Sequence, residues 1–446
     1  MIDKLIRRFS DPLFRERVWE EARTTLTLAI PIITAQLLQM SMHFVDTVMA
    51  GRLSANDLAA VAIGGSLTSP LYMLFYGVLM GLNPMVSQNF GARNFPMIGK
   101  VTREALYLGG LLGLISILIL YQLEPVLALV NADAEVAEKA FGYVIAVAWG
   151  MPFYMGFVVF RVFNDSIGAT KPGMWIALIG LPFNILGNWV LVYGKFGFPQ
   201  YGAVGTGYAT SAVGVVMFVA MLIYTYRQKA YQRFEIFRHW RLPEWKHQKE
   251  LLWIGVPNGM SYFMEVSMFA IVALMIGSIS AIAVAGHQVA INFGAITFMV
   301  PFGLATAISV RVGIFTGRNQ PDKARFAGFT GIGSSVVIMS TIATLMFLFH
   351  RQIAGIYTSD PQVLELSASL ILMAAIFQIS DGLQVSGSGA LRGLKDTRIP
   401  MIVNLISYWG IGLPIGYWIG LILGYGPQGF WVGLICGLSS AAIMHN

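Results

Sequence analysis

The stretch GMSYFMEVSMFAIVALMIG, residues 259–277, decides the fold class. It is apolar almost from end to end, and its length is close to the roughly 20 residues that a helix needs to cross a bilayer. One acid, Glu265, stands in its middle. A carboxylate at a bilayer centre costs about 2.5–3.5 kcal/mol on insertion scales. A chain that keeps one there either uses its chemistry or bonds it to a neighbouring helix.

The rest of the sequence is built the same way. Of 446 residues, 56% are hydrophobic and 11% charged, against roughly 25% charged in soluble domains. Mean hydropathy is +0.67. Apolar segments begin near residues 25, 57, 99, 138, 172, 202, 251, 280, 325, 363, 399 and 429. The expected fold is therefore an all-α membrane protein of about twelve transmembrane helices. Residues 1–24 lack the apolar core of a cleavable signal peptide, and none is expected. The segment that ends at His445–Asn446 stops abruptly, as if the natural chain ran further. A lone cysteine, Cys436, excludes a disulfide framework and a thiolate metal site. No Walker A loop, HExxH, CxxC pair or GxSxG occurs, which argues against ATP hydrolysis and the usual hydrolase chemistries.

The pI of about 9.4 could suggest a nucleic-acid partner, but the placement of the charges argues for a lipid bilayer instead. With twelve spans, 25 of the 29 Lys and Arg fall in the termini and alternate loops, Arg161 and Lys171 among them. Only Arg52, Lys139, Lys195 and Arg351 fall on the other side. The positive-inside rule then puts both termini in the cytoplasm; the expected location is a bacterial-type inner membrane. The expected domains are an arm (1–24), a first lobe of six helices (25–226), a basic linker (227–250) and a second six-helix lobe (251–446).

The lobes echo one another. LAIPIITAQ carries Pro31 and IGVPNGMSY carries Pro257, and Gly51 and Gly277 stand the same distance apart in the chain. FGARN (90–94) resembles FTGRN (315–319), and GATKP (168–172) resembles GLKDTRIP (393–400). Pro199–Gln200 returns as Pro427–Gln428. Matches in order at near-constant spacing predict two pseudo-symmetric six-helix bundles, a common transporter architecture with sites near the midplane.

Residues three and four apart share a helix face. On that spacing Asn258, Ser261 and Glu265 form one polar stripe. Asp381, Gln384 and Ser388 form a second, and Gln36, Gln39, His43 and Asp46 a third. Asn184 with Asn188, Thr206 with Thr210, and Gln288 with Asn292 add polar pairs. Asp46, Glu265 and Asp381 read as the acids deep inside apolar segments, with no Lys or Arg comparably deep. Unpaired buried acids must be protonated, hydrated or bound to a cation. That is the chemistry of an ion relay and of attraction for cationic cargo. The polar neutral residues fit interhelical hydrogen bonds equally well.

VDTVMAG (45–51), the paired Pro-bearing helices, Glu265 and Asp381 together resemble the multidrug and toxic compound extrusion (MATE) family, NorM-like branch, over nearly the whole chain. The resemblance implies two lobes in a V around a central cavity. It implies a secondary active transporter, not an enzyme, that expels amphipathic cationic drugs or dyes in exchange for Na+ or H+. It implies no tightly bound cofactor and a monomer. Asp46, Asn184, Asn188 and Thr206 match a cation site in the first lobe. Asn188 stands where some relatives have an acid. Glu265 and Asp381 match a possible Na+ site in the second lobe, and Phe377 stands where some relatives carry Tyr. Gln36, Gln39, His43, Tyr262, Gln288, Asn292 and Gln384 are the expected cavity lining. Hard cations take oxygen ligands, and the Asn and Thr beside the carboxylates favour Na+. The rival readings are a lipid-linked oligosaccharide flippase, which would need Lys and Arg for a pyrophosphate, and an intramembrane enzyme that uses the acids.

Overall fold

The computed structural model describes residues 11–125, 133–238 and 242–446. Among these residues no strand occurs, and twelve helices are long and apolar enough to cross a bilayer. They are α1 (Pro12–Leu53), α2 (Ala55–Gly91), α3 (Phe95–Tyr121), α4 (Ala134–Ser166), α5 (Lys171–Tyr193) and α6 (Ala203–Arg227). Then follow α7 (Trp245–Gly277), α8 (Ala281–Gly317), α9 (Pro321–Tyr357), α10 (Pro361–Gly393), α11 (Arg398–Ile422) and α12 (Pro427–His445). Number and order match the sequence expectation. Lys4, Arg7, Arg8 and Arg241 of the charge count lie outside the described residues.

α1 starts well before its apolar stretch, so residues 12–24 of the expected arm are its first turns. Contacts with α8 and α9 hold them. Arg311 of α8 donates from Nε and Nη2 to the two Glu21 carboxylate oxygens, both at 2.6 Å. Phe14 meets Phe326 of α9 edge-on. The described part of the linker is anchored as well. Lys229–Phe234 forms a 3-10 helix, Tyr231 donates to Asn164 Oδ1 at 2.7 Å, and Arg103 reaches the carbonyls of Glu235 and Ile236.

Contacts gather the chain into two compact units: Met1–Ile33 with Met264–Asn446, and Thr34–Phe263. The change of unit falls inside α1 and α7, not at the linker. Glycine explains the first half of α7. Gly255 and Gly259 sit directly on Gly77, Val78 and Gly81 of α2, and a Cβ on Gly255 would strike the Val78 carbonyl. Small residues four apart let membrane helices meet backbone to backbone. Asn258 Nδ2 then donates to Gly77 O at 2.7 Å. In the other unit a Cβ on Gly303 of α8 would meet Ile33 of α1. Gly77 with Gly259 and Gly303 with Ile33 are one contact made twice, since the pairing of Pro31 with Pro257 also pairs Ile33 with Gly259 and Gly77 with Gly303. Gly255→Ala should destabilise the protein by about 1–3 kcal/mol through overpacking. A melting temperature in detergent equal to the parent's would show that these backbones part freely.

The repeat extends to details of backbone. Ser54 caps α2 by accepting from Asp57 N, and Ser280 caps α8 by accepting from Ala283 N. Arg93 and Asn319 both adopt a left-handed backbone, at φ 59° and 56°. Within each unit one helix is central: α4 packs on α2, α3 and α6, and α10 on α8, α9 and α12. α11 departs from its counterpart α5, because Leu405–Gly412 and Trp418–Ile422 are π-helical. Gly412, Gly416 and Gly420 press α11 against Gly429 and Gly433 of α12.

Candidate functional site

Asp46 lies 2% exposed in the unit formed by residues 34–263. Asn184 and Asn188, one turn apart on α5, both donate to Asp46 Oδ1, at 2.9 and 2.6 Å. Asn188 Nδ2 also reaches Asn184 Oδ1 at 3.3 Å. Thr210 of α6 donates to Asp46 Oδ2 at 3.0 Å. Asp46, Asn184 and Asn188 therefore meet as expected, but Thr206 does not join them. Its hydroxyl donates to Ala203 O at 2.7 Å, back into its own helix. Thr206 and Thr210 share a face of α6, so spacing alone could not choose between them. Asn188 Oδ1 is buried without a partner. The ring offers neutral donors to the carboxylate and a free amide oxygen beside it.

A second charged cluster corrects the sequence reading. Arg161 is not in a loop. It lies in α4, 3% exposed, and Asp165 one turn on is buried with it. Arg161 Nε stands 3.7 Å from Asp165 Oδ2. Its Nη1 donates to Gln36 Oε1 at 2.9 Å and to Gln39 Oε1 at 3.3 Å. Tyr154 donates to Gln39 Oε1 at 3.3 Å, and Tyr72 to Tyr154. Asp165 is thus a further deep acid, and Arg161 a deep cation. Burial is tolerable because the two charges match and the guanidinium finds acceptors. The i, i+4 spacing of Arg161 and Asp165 was the available signal, hidden because α4 extends past its most apolar window.

In the other unit Asp381 of α10 is 1% exposed, and neither of its oxygens has a hydrogen-bond partner. Glu265 of α7 is half-buried in the same unit. Gln384, one turn along α10, is buried; its Nε2 reaches Asn404 Oδ1 at 3.4 Å while its Oε1 is unpartnered. Tyr408 of α11, missed by the sequence reading, is fully buried with an unpartnered hydroxyl. Phe377 packs rather than coordinates. It lies edge-on to Phe269 and Trp431, with ring centroids 6.1 and 5.9 Å away.

The expected lining residues separate. Gln36 and Gln39 serve Arg161, and Gln384 belongs with Asp381. Tyr262 lies 6.4 Å from Tyr76, ring to ring. His43, Gln288 and Asn292 have exposed side chains. The stripe of Asn258, Ser261 and Glu265 is divided, since Glu265 falls in a different unit from the other two.

The MatE family model matches residues 31–190 and again 257–418, so its two matches start at the paired prolines Pro31 and Pro257. The multidrug resistance protein PmpM of Pseudomonas aeruginosa is 42% identical over 433 residues, 96% of this chain and 91% of that protein. The multidrug resistance protein MdtK of Yersinia pseudotuberculosis is 40% identical over 429 residues, 95% and 94% of the two. Among solved structures, the eukaryotic MATE transporter AtDTX14 superposes with a TM-score of 0.89 at 20% identity, over 96% of this chain and 95% of that one. At that identity the likeness speaks for the fold.

Proposed function

The chain belongs to the MATE family, and from that premise we propose that it exports amphipathic organic cations against an inward flow of Na+ or H+ by alternating access. It is a multidrug efflux protein of the bacterial inner membrane, a secondary active transporter and not an enzyme. Asp46, with Asn184, Asn188 and Thr210, is one coupling site. Glu265 with Asp381 is the other, and Na+ is the ion its oxygens suit best. Both termini face the cytoplasm, and the monomer is the working unit.

The observation that carries this reading is Asp381, buried with neither carboxylate oxygen bonded. An ionised carboxylate left so would cost many kcal/mol, so a proton, a water or a metal cation must accompany it, and exchange of a proton or metal ion there is the chemistry of coupling. Coupling follows if that ion and the cationic drug compete for the same carboxylates and each favours a different state of the transporter. The flippase reading weakens because the Arg161 charge is matched by Asp165 rather than free for a pyrophosphate.

The test is transport of ethidium in sealed proteoliposomes, with Na+ and pH gradients imposed separately at clamped membrane potential. Dye movement that needs one of the gradients is the expected result. Movement under the Na+ gradient makes Glu265 and Asp381 ion ligands; movement under the pH gradient alone makes the acids proton carriers. Silence under both, from folded protein, would overturn the antiporter reading.

A further inference from the structure

The two repeats place different chemistry at one shared position. The turns that end α4 and α10 make the same hydrogen bonds. Gly168 N and Ala169 N donate to Asp165 O and Asn164 O, as Lys395 N and Asp396 N donate to Arg392 O and Leu391 O. That pairs Asp165 with Arg392 and, followed back along the two helices, Tyr154 with Asp381. In α1 and α7 the pairing of Pro31 with Pro257 makes Gln39 the counterpart of Glu265. One unit therefore holds Gln39 and Tyr154 where the other holds Glu265 and Asp381.

In the first unit the polar oxygens at this position are served by a cation built into the chain. The Arg161 guanidinium donates to Gln36 Oε1 and Gln39 Oε1. The counterpart of Arg161 in α10 is Ser388, which carries no charge. In the second unit the oxygens are orphaned. Asp381 Oδ1 and Oδ2, Gln384 Oε1 and Tyr408 Oη are all buried and make no hydrogen bond of regular geometry, on residues no more than 2% exposed, with the Gln384 side chain close to the Tyr408 hydroxyl. Carboxylate, amide and hydroxyl oxygens form a ligand set for a hard cation. Each orphan left unmatched would cost about 1–3 kcal/mol or more.

Tyr408 is held at this position from both directions. Its neighbour Trp409 donates to Met264 O at 3.3 Å, one residue from Glu265. The glycine contacts with α12 fix the remainder of α11. The residue stands in the π-helical segment Leu405–Gly412; such wide turns are rare and frequently occur at functional sites. Gly180 occupies the matching place in the regular helix α5, in the alignment that pairs Pro172 with Pro400. Asn404, four residues before Tyr408, accepts from Gln384 Nε2 at 3.4 Å, and Gln384 lies three residues from Asp381 on α10.

We propose that Tyr408 is a direct ligand of the exchangeable metal cation held by Glu265 and Asp381, with Gln384 Oε1 beside it, so that cation binding engages α11 as well as α7 and α10. This rests on the reading of Glu265 and Asp381 as a cation pair. The metal cation takes in this unit the role that the tethered Arg161 charge takes in the other.

The experiment is a Na+ titration of the melting temperature of the purified full chain in detergent, at constant pH and at ionic strength held with choline. The parent should give a saturable rise, and Asp381→Asn should remove it. Tyr408→Phe keeps the ring and deletes the hydroxyl. It should move the midpoint about tenfold towards higher Na+, reduce the preference for Na+ over K+, and leave the melting temperature in Na+-free buffer near the parent's. If Tyr408→Phe folds poorly, 3-fluorotyrosine at 408 weakens the oxygen without changing the packing, and it should shift the midpoint the same way. An unshifted midpoint in these variants, with Asp381→Asn still silent, would overturn the role of Tyr408 and spare the acid pair. A parent with no saturable Na+ response would overturn both.

Discussion

Asp46→Asn abolishes drug efflux while the protein remains folded. That is the expected result, and the hydrogen bonds around the residue give the reason. An amide oxygen at position 46 can accept from Asn184 and Asn188, as Asp46 Oδ1 does. The new amide nitrogen then faces Thr210, whose hydroxyl now donates to Oδ2 but can rotate and accept instead. The exchange is isosteric and leaves no added orphan, so the melting temperature should stay within a few degrees of the parent's. What disappears is the negative charge at the heart of the ring, and with it the ability to hold a cation or proton in one state and release it in another. Ethidium efflux from energised proteoliposomes should fall at least tenfold, to the level of empty vesicles. Parental efflux would remove Asp46 from the transport cycle. Lost efflux with an equally large loss of stability would make its role structural.

Arg161→Met produces the largest loss of stability. The substitution leaves Asp165 buried without its cation and strips Nη1 from Gln36 and Gln39. Breaking a buried pair by removing one partner costs about 3–5 kcal/mol, most of it the charge left behind. The variant should melt well below the parent in detergent and aggregate on heating. Replacing both partners, Arg161→Met with Asp165→Leu, should recover most of the loss, because two apolar groups in that place need no partner. A double variant no more stable than Arg161→Met would show that the guanidinium acts through the glutamines of α1 rather than through Asp165.

Much of this protein was legible as text. Hydropathy fixed the class and the number of spans, since a bilayer admits few other structures for a chain so apolar. The recurrence of Pro31 at Pro257 and of FGARN as FTGRN revealed the duplication, later visible in paired serine caps and paired left-handed turns. The three acids stood out because charge is rare in such segments. Helix periodicity also put Asn184 and Asn188 on one face, where both reach Asp46.

Other features required the third dimension. Periodicity names the face of a helix but not the neighbour it meets, and that neighbour is set by packing between residues far apart in the chain. So Thr210 rather than Thr206 reaches Asp46, and Phe377 packs against Phe269 and Trp431. The depth of Arg161 became visible only when α4 proved longer than its apolar window. The exchange of unit within α1 and α7 depends on glycine contacts such as Gly77 with Gly259. Composition could place the acids in the membrane. Tertiary packing decided which of them are already satisfied by the chain and which still lack a partner, because a buried oxygen is bonded or orphaned according to what stands within about 3 Å of it.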